Sequence, residues 1–418
     1  MKILLVHKFW RKTGGAENYF QDTAAILRVN GHEIKIFTTD FPAANSSDVF
    51  VRDENIVFGE YENYLDGNIF KRLTSVPEII YSKKNKVLFG KLLDSFKPDI
   101  VHVFAIFTTI TPSVLDACGE RNIPVVMSCN DYKHICPNYR LFHNGKICEA
   151  CKGNKFYNAA LKNCCKHSLG VSVVSAIESF AHHFSGVVKN NVSAFLFETK
   201  FMLEKTKEFW GDKYKYEFVG KPFDVKQFNP SAQNKNYVLY AGRLSDEKGV
   251  DVLIKAMQYN HDIPLVIAGS GPEEEKLKRL TSSLQLANIS FKGNVNANEM
   301  KQLMSDCSFV VIPSVWYENF PYVLAEAYAH AKPVIGSNMG GILEYIIESE
   351  TGVIYNSYNE KELSEKIKQL FSDKERILIM GKNARVYAEA IFSTQSFFQN
   401  IMKIYTRIKG QREPEILS

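Results

Sequence analysis

Short, β-branched apolar runs alternate along this chain with segments in which apolar side chains recur every three or four residues. The runs at residues 3–6, 34–37, 100–104, 124–128 and 194–197 show little polar alternation, as expected of strands buried on both faces. Between the first two, residues 16–29 carry apolar side chains at helical spacing, and Gly31 stands where such a helix would stop. The repeat is therefore strand, helix, parallel strand. Residues 221–236 break the rhythm with Pro222, Pro230 and polar side chains. A second series of runs follows at 237–241, 264–268, 289–293, 309–313 and 333–336. The pattern predicts two doubly wound α/β domains, residues 1–220 and 221–393, across a cleft where ligands meet the carboxyl ends of the strands. Residues 394–409 read as an amphipathic helix in a closing segment, 394–418, that is expected to return to the first domain.

Composition fits two cores: 418 residues, 45% apolar and 23% charged. The longest apolar stretches, such as 100–110, fall short of the ~20 residues that cross a bilayer. No cleavable leader pattern precedes residues 1–6, so the expectation is a cytoplasmic protein. The formal charge is +5, and the whole excess lies before residue 221. In residues 69–98, Lys71, Arg72, Lys83, Lys84, Lys86, Lys91 and Lys97 outnumber Glu78 and Asp94 among many apolar residues. This segment reads either as a peripheral contact with an anionic membrane surface or as a soluble helix pair with a lysine-rich outer face. No dense Arg/Lys stripe with interleaved aromatics occurs, which argues against a nucleic-acid groove.

Four stretches carry candidate chemistry. After the run at 309–313, a loop holds Glu318, and Pro321 opens a segment with helical spacing that contains Glu326. A helix amino end offers unpaired N–H groups to a phosphate, and carboxylates there can each accept two hydrogen bonds from a diol. The alternative is a pair of surface glutamates beside a core helix. After the run at 237–241, Gly242 and Gly249 bracket Arg243 and Lys248, two cations suited to a departing diphosphate or, more plainly, to solvent. Gly14 and Gly15 follow the first strand and allow backbone amides close to a charged ligand, although any strand-to-helix turn welcomes them. Gly269 and Gly271 close another strand and would line the same cleft.

Taken in order, Gly14-Gly15-Ala16-Glu17, Asn130-Asp131-Tyr132, the Arg243 and Lys248 loop, Gly269-Ser270-Gly271-Pro272 and the Glu318 to Glu326 pair resemble glycosyltransferase family 4 over nearly the whole chain. The seven residues between Glu318 and Glu326 match that family's E-x7-E element. The resemblance implies a GT-B fold, two Rossmann-like domains facing a central cleft. It also implies a retaining transfer of a hexosyl group from a nucleotide diphosphate sugar to a glycan or lipid-linked acceptor, in cell-surface polysaccharide or lipopolysaccharide synthesis. UDP-sugars are favoured and GDP-sugars come next, and no catalytic cofactor is required.

By the same resemblance, Arg243 and Lys248 bind the diphosphate, Glu318 faces the sugar of the donor, Glu326 holds the ribose hydroxyls, and Gly15 brings an amide near the reacting centre. Gly14, Gly269, Gly271, Asn319, Phe320 and Pro321 complete the expected sugar-donor site, with Asn130 and Asp131 on the acceptor or sugar side. Two positions depart from the pattern. Asn319-Phe320-Pro321 replaces glycines common after the first glutamate, and Asn130 stands where a histidine is frequent. Asparagine cannot take a proton, which argues against an essential base there.

Of eight cysteines, five fall between Cys136 and Cys165, in an insertion at about 133–168 that lacks apolar periodicity. Cys136, Cys148, Cys151 and Cys164 could enclose a structural Zn2+, with Cys165 and His167 as rival ligands; unligated or redox-active thiols are the alternative. Two other functions share the scaffold: a sugar-nucleotide epimerase, which the E-x7-E spacing disfavours, and a non-catalytic nucleotide-sugar-binding partner subunit.

Overall fold

The computed structural model describes residues 1–10, 14–39, 55–60 and 69–411, with the side chains of 69–74 outside the description. The first sheet has seven parallel strands: β1 Lys2–Val6, β2 Glu33–Thr38, β3 Ile56–Phe58, β4 Ile100–Val103, β5 Val125–Cys129, β6 Ala194–Phe197 and β7 Tyr216–Phe218. Their order is β3-β2-β1-β4-β5-β6-β7. The second sheet contains β8 Val238–Ala241, β9 Leu265–Ala268, β10 Ile289–Gly293, β11 Phe309–Ile312, β12 Val334–Ser337 and β13 Gly352–Tyr355, in the order β10-β9-β8-β11-β12-β13. Both are doubly wound, with the order reversing beside β1 and β8. The chain has the GT-B fold.

The uniform apolarity of the strands follows from the layers. Leu4, Val6, Val101 and Val103 enter one buried cluster, while their neighbours Ile3, Leu5 and Ile100 enter another on the opposite face of the sheet. The closing helix Thr394–Gly410 supplies Phe397, Ile401, Ile404 and Tyr405 to that second cluster, so it packs on the first sheet. It is also tied by hydrogen bonds: His102 of β4 lies 2.7 Å from the Tyr405 hydroxyl through Nδ1 and 2.8 Å from Ser128 Oγ through Nε2. Burial pushes this imidazole down to about 3, so it stays neutral.

Residues 142–147 contain a two-stranded hairpin whose Phe142 joins the core of the second sheet, beside Val238 and Tyr240. Arg140 pairs with Asp246 at 2.8 Å and Glu247 at 3.1 Å, and the Tyr358 hydroxyl donates to the Gly145 carbonyl at 2.8 Å. The cysteine-rich insertion, counted with the first domain in the sequence, thus also contacts the second sheet's core and loops.

The basic segment forms a helix pair, one of the two forms read from its sequence. Its helices are Ile69–Ile80 and Lys83–Phe96, and in the second Phe89, Leu92, Leu93 and Phe96 are buried. Lys84 pairs with Glu60 at 3.2 Å and Lys86 with Glu120 at 2.6 Å. The side chains of Phe70, Lys71, Arg72 and Leu73 lie outside the described residues. Among the described residues no helix is long and apolar enough to cross a membrane.

Candidate functional site

The candidate residues Gly14, Gly15, Asn130, Asp131, Arg243, Lys248, Gly269, Gly271 and Glu318 to Glu326 lie beyond the carboxyl end of a parallel strand or on the helix that follows it, so the topology gathers distant sequence into one cleft, whereas the candidate cysteines lie in the insertion after β5. The loop after β11 brings in Glu318, a residue only 4% exposed. Its Oε1 accepts from Lys248 Nζ at 2.6 Å and from Ser314 Oγ at 2.6 Å. The indole of Trp316 lies 5.4 Å from the Lys248 ammonium. Arg243, on the same loop as Lys248, is exposed and has no ion-pair partner among the described residues.

Glycines set the spacing of these loops. A Cβ on Gly269 would stand 1.9 Å from the Gly242 carbonyl oxygen, and one on Gly271 would stand 2.2 Å from that of Leu244. These two glycines let one loop lie directly on the backbone of the other and so hold Arg243 in place; this is a packing role beside the ligand-lining one expected. Gly340, missed by sequence reasoning, does the same for the carboxylate loop. A side chain there would reach within 2.3 Å of the Glu318 carbonyl oxygen, and the neighbouring Gly341 N–H donates to that oxygen at 2.7 Å.

Pro321 is the N-cap of the helix Tyr322–Ala329, in extended conformation, one residue earlier than its expected place as the first helical residue. The opening helix of the first domain, Gly15–Val29, has Gly14 as its cap. A Cβ on Gly15 would lie 3.3 Å from the Tyr322 ring, so the two helix amino ends face each other across the cleft. Their positive ends, with Arg243 and Lys248 nearby, make the cleft attractive to an anion. Glu326 sits further along Tyr322–Ala329, and burial pushes its carboxyl up to about 7. Phe320 is a core residue, packed edge-on against Tyr345 and Phe392.

Asn319 bridges the two domains. Its Oδ1 accepts from Thr199 Oγ1 at 2.9 Å, and its Nδ2 donates to the Asn130 carbonyl at 3.3 Å. Asn130 in turn donates to Glu198, which is paired with Lys221. Both members of that pair are buried, and the Lys221 ammonium lies over the Tyr322 ring at 4.1 Å. Glu198 and Lys221 were not singled out from sequence; the position of Glu198 just past the apolar run of β6 was the available signal, and Lys221 had none. Asp131 is committed locally, accepting from the Lys133 N–H at 2.9 Å as a cap.

Four buried polar atoms in this region lack a hydrogen-bond partner among the described residues: Asn130 Oδ1, Tyr132 Oη, Trp316 Nε1 and Tyr322 Oη. Such orphans are costly in a closed protein and ordinary in a site that receives a polar ligand.

The thiols of Cys136, Cys148, Cys151, Cys164 and Cys165 are all free. Burial pushes Cys136 up to about 11 and Cys151 up to about 12, with neighbouring thiols adding to the rise. The Cys165 thiol is lowered, chiefly by its contact with Cys164 at 4.0 Å. The donor set suits a soft cation, yet among the described residues no three His, Cys, Asp or Glu side chains stand in a metal-holding arrangement.

A GT-B fold with carboxylates and cations at the strand ends defines a class of two-domain α/β proteins, and comparison with known proteins narrows it. The model of Glycosyltransferase Family 4 matches residues 13–178, and that of Glycosyl transferases group 1 matches residues 223–387. Both halves of the chain thus carry glycosyltransferase domains. An uncharacterized glycosyltransferase of Methanocaldococcus jannaschii is 30% identical over 41% of this chain and 48% of its own length. The O-antigen chain mannosyltransferase C of Escherichia coli is 25% identical over 47% of this chain and 56% of its own. The chain therefore spans about half the length of these curated relatives. Anabaena HepE, solved in complex with UDP, has a TM-score of 0.69 at 18% identity, covering 97% of this chain and 100% of that one, which is a likeness of fold.

Proposed function

We propose that this protein is a retaining glycosyltransferase that moves a hexosyl group from a nucleotide diphosphate sugar, a UDP-sugar by preference and a GDP-sugar next, to a glycan or lipid-linked acceptor in cell-surface polysaccharide synthesis. The observation that carries the reading is the Lys248–Glu318 pair, held at 2.6 Å in a region where four buried polar atoms lack a partner among the described residues. The UDP bound by HepE and the O-antigen activity in the name of the Escherichia coli relative support the choice of substrates.

In this scheme Lys248 and Arg243 take the diphosphate and stabilise the charge that builds as the glycosidic bond breaks. Glu318 faces the sugar ring, Glu326 accepts from the ribose hydroxyls, and the Gly15 amide approaches the reacting centre. The departing phosphate draws the proton from the acceptor hydroxyl on the face it leaves, so the protein needs no nucleophile of its own. Incubation with UDP- and GDP-sugars and acceptor should release free nucleotide diphosphate. Tight donor binding with no release would instead identify a non-catalytic partner subunit.

Glu326 gives this scheme a pH signature. With its carboxyl at about 7, it is neutral in mild acid and offers two acceptor oxygens only above that pH. UDP affinity should therefore rise as pH increases through about 7, and Glu326→Gln should flatten the rise while weakening binding about tenfold at high pH, the loss of a charge-assisted hydrogen bond. Titration calorimetry of both proteins with UDP cancels the ionisation of the phosphate itself. Parallel pH profiles would remove Glu326 from the ribose site.

The thiol cluster forms a separate part of the proposal. Cys136, Cys148, Cys151 and Cys164 would close on one structural Zn2+ after local rearrangement, bracing the insertion that carries Arg140. Elemental analysis of protein purified without chelator should find about one zinc per chain. No zinc, with the thiols freely alkylated in the folded protein, would end that idea.

A further inference from the structure

We propose that the outer face of the helix Leu169–Ser185, with the adjoining helix Tyr157–Leu161, docks on an anionic lipid bilayer. At 100° per residue, Leu169, Val173, Ile177, Phe180 and Phe184 fall within roughly 80° of arc, along a helix about 25 Å long. Four of them are open to solvent: Leu169 is 61% exposed, Val173 38%, Ile177 47% and Phe184 80%. Leu161, at the end of the shorter helix, is 77% exposed. Single apolar side chains are ordinary on protein surfaces, whereas an aligned stripe of them marks a surface that meets something apolar. The stripe is firmly held. Phe180 stacks on Phe184 at 6.0 Å and meets Phe156 edge-on at 5.3 Å, while Ser172, Ala176 and Glu178 of the same helix are buried.

The charge around the stripe identifies its partner. Residues 150–177 contain Lys152, Lys155, Lys162 and Lys166 and neither Asp nor Glu. Lys155, Lys162 and Lys166 are exposed and have no ion-pair partner among the described residues, whereas Lys152 is held by Glu208 at 3.2 Å. In the segment first read as basic, Lys84 and Lys86 are both paired. Apolar side chains flanked by unneutralised lysines suit the boundary between acyl chains and anionic headgroups. A second copy of the chain would instead bring lysine against lysine. The inference does not depend on which sugar is transferred, or on whether any is.

The full-length protein should sediment with vesicles of phosphatidylglycerol and phosphatidylcholine and remain in the supernatant with phosphatidylcholine alone. Replacing Leu169→Asp and Ile177→Asp together should weaken binding at least tenfold. Lys162→Glu with Lys166→Glu should weaken it severalfold, as should raising salt to about 0.5 M, because screening removes the headgroup attraction. Lys83→Glu with Lys91→Glu, on the other basic helix, should leave it unchanged. An unaltered urea midpoint in each variant separates docking from folding. Equal recovery in the supernatant with both lipids overturns the proposal, as does wild-type binding by the Leu169→Asp, Ile177→Asp variant. So does a concentration-dependent dimer that this variant abolishes while no vesicle binding is seen, which would make the stripe a contact between chains.

Discussion

Glu318→Gln is expected to lower kcat about 10²–10³-fold, the usual cost of removing a group that acts on charge developing in the transition state. Glutamine keeps the shape and an oxygen for Ser314 Oγ, so the loop after β11 should hold its path through the Gly341 contact to the Glu318 carbonyl. What disappears is the negative charge 2.6 Å from Lys248 Nζ. The lysine is then released to the diphosphate, and the affinity for the sugar donor should change less than about threefold, within about 0.7 kcal/mol. A large fall in turnover beside nearly constant binding is the mark of an interaction made in the transition state. Single-turnover rates and calorimetric titration of the same preparations provide both numbers. Normal turnover in the variant would sink the assignment of Glu318.

Glu198→Ala should destabilise the protein by about 3–5 kcal/mol, because it strands a buried cation. Lys221 is only 5% exposed and sits among the rings of Tyr19, Phe320 and Tyr322. Burial already lowers its pKa, and the attraction of Glu198 opposes that fall. Removing the carboxylate also takes away the acceptor for Asn130, whose carbonyl anchors Asn319 across the cleft. Adding Lys221→Met should recover most of the stability, since an apolar side chain of similar length needs no counter-charge there. Urea unfolding of the single and double variants tests the pair. If the single variant is as stable as the parent, or the second change gives no recovery, the two residues are not one buried unit.

Several parts of the molecule were legible before any coordinates. The strands of both sheet centres are short, almost wholly apolar runs covered on both faces, a condition that leaves little room for polar alternation. The short strands Ile56–Phe58, Tyr216–Phe218 and Gly352–Tyr355 escaped notice, because a few residues at a sheet edge carry no periodicity. Gly14, Gly15, Arg243, Lys248, Glu318 and Glu326 stood out in the sequence as candidates, since each follows a strand and each is a residue type that a charged ligand needs. Asn130 and Asp131 were legible only as departures or matches. One proves to belong to a buried network with Glu198, the other to a local cap.

By itself, then, the order of apolar runs and breaks determined the two doubly wound domains and the order in which the motifs line a cleft, because strand burial and helix spacing are local properties of the chain. Tertiary structure decided the partnerships. Lys248 meets Glu318, Glu198 meets Lys221, and Arg140 reaches Asp246, each across a distance in sequence that no local pattern encodes. It also decided which apolar faces are core. Phe89, Leu92 and Leu93 on one helix and Leu169, Val173 and Ile177 on another have similar helical spacing, yet the first set is covered by the sheet and the second faces water. Hydrophobicity drives both sets toward burial, and only the positions of the neighbouring layers determine which one is satisfied within the fold.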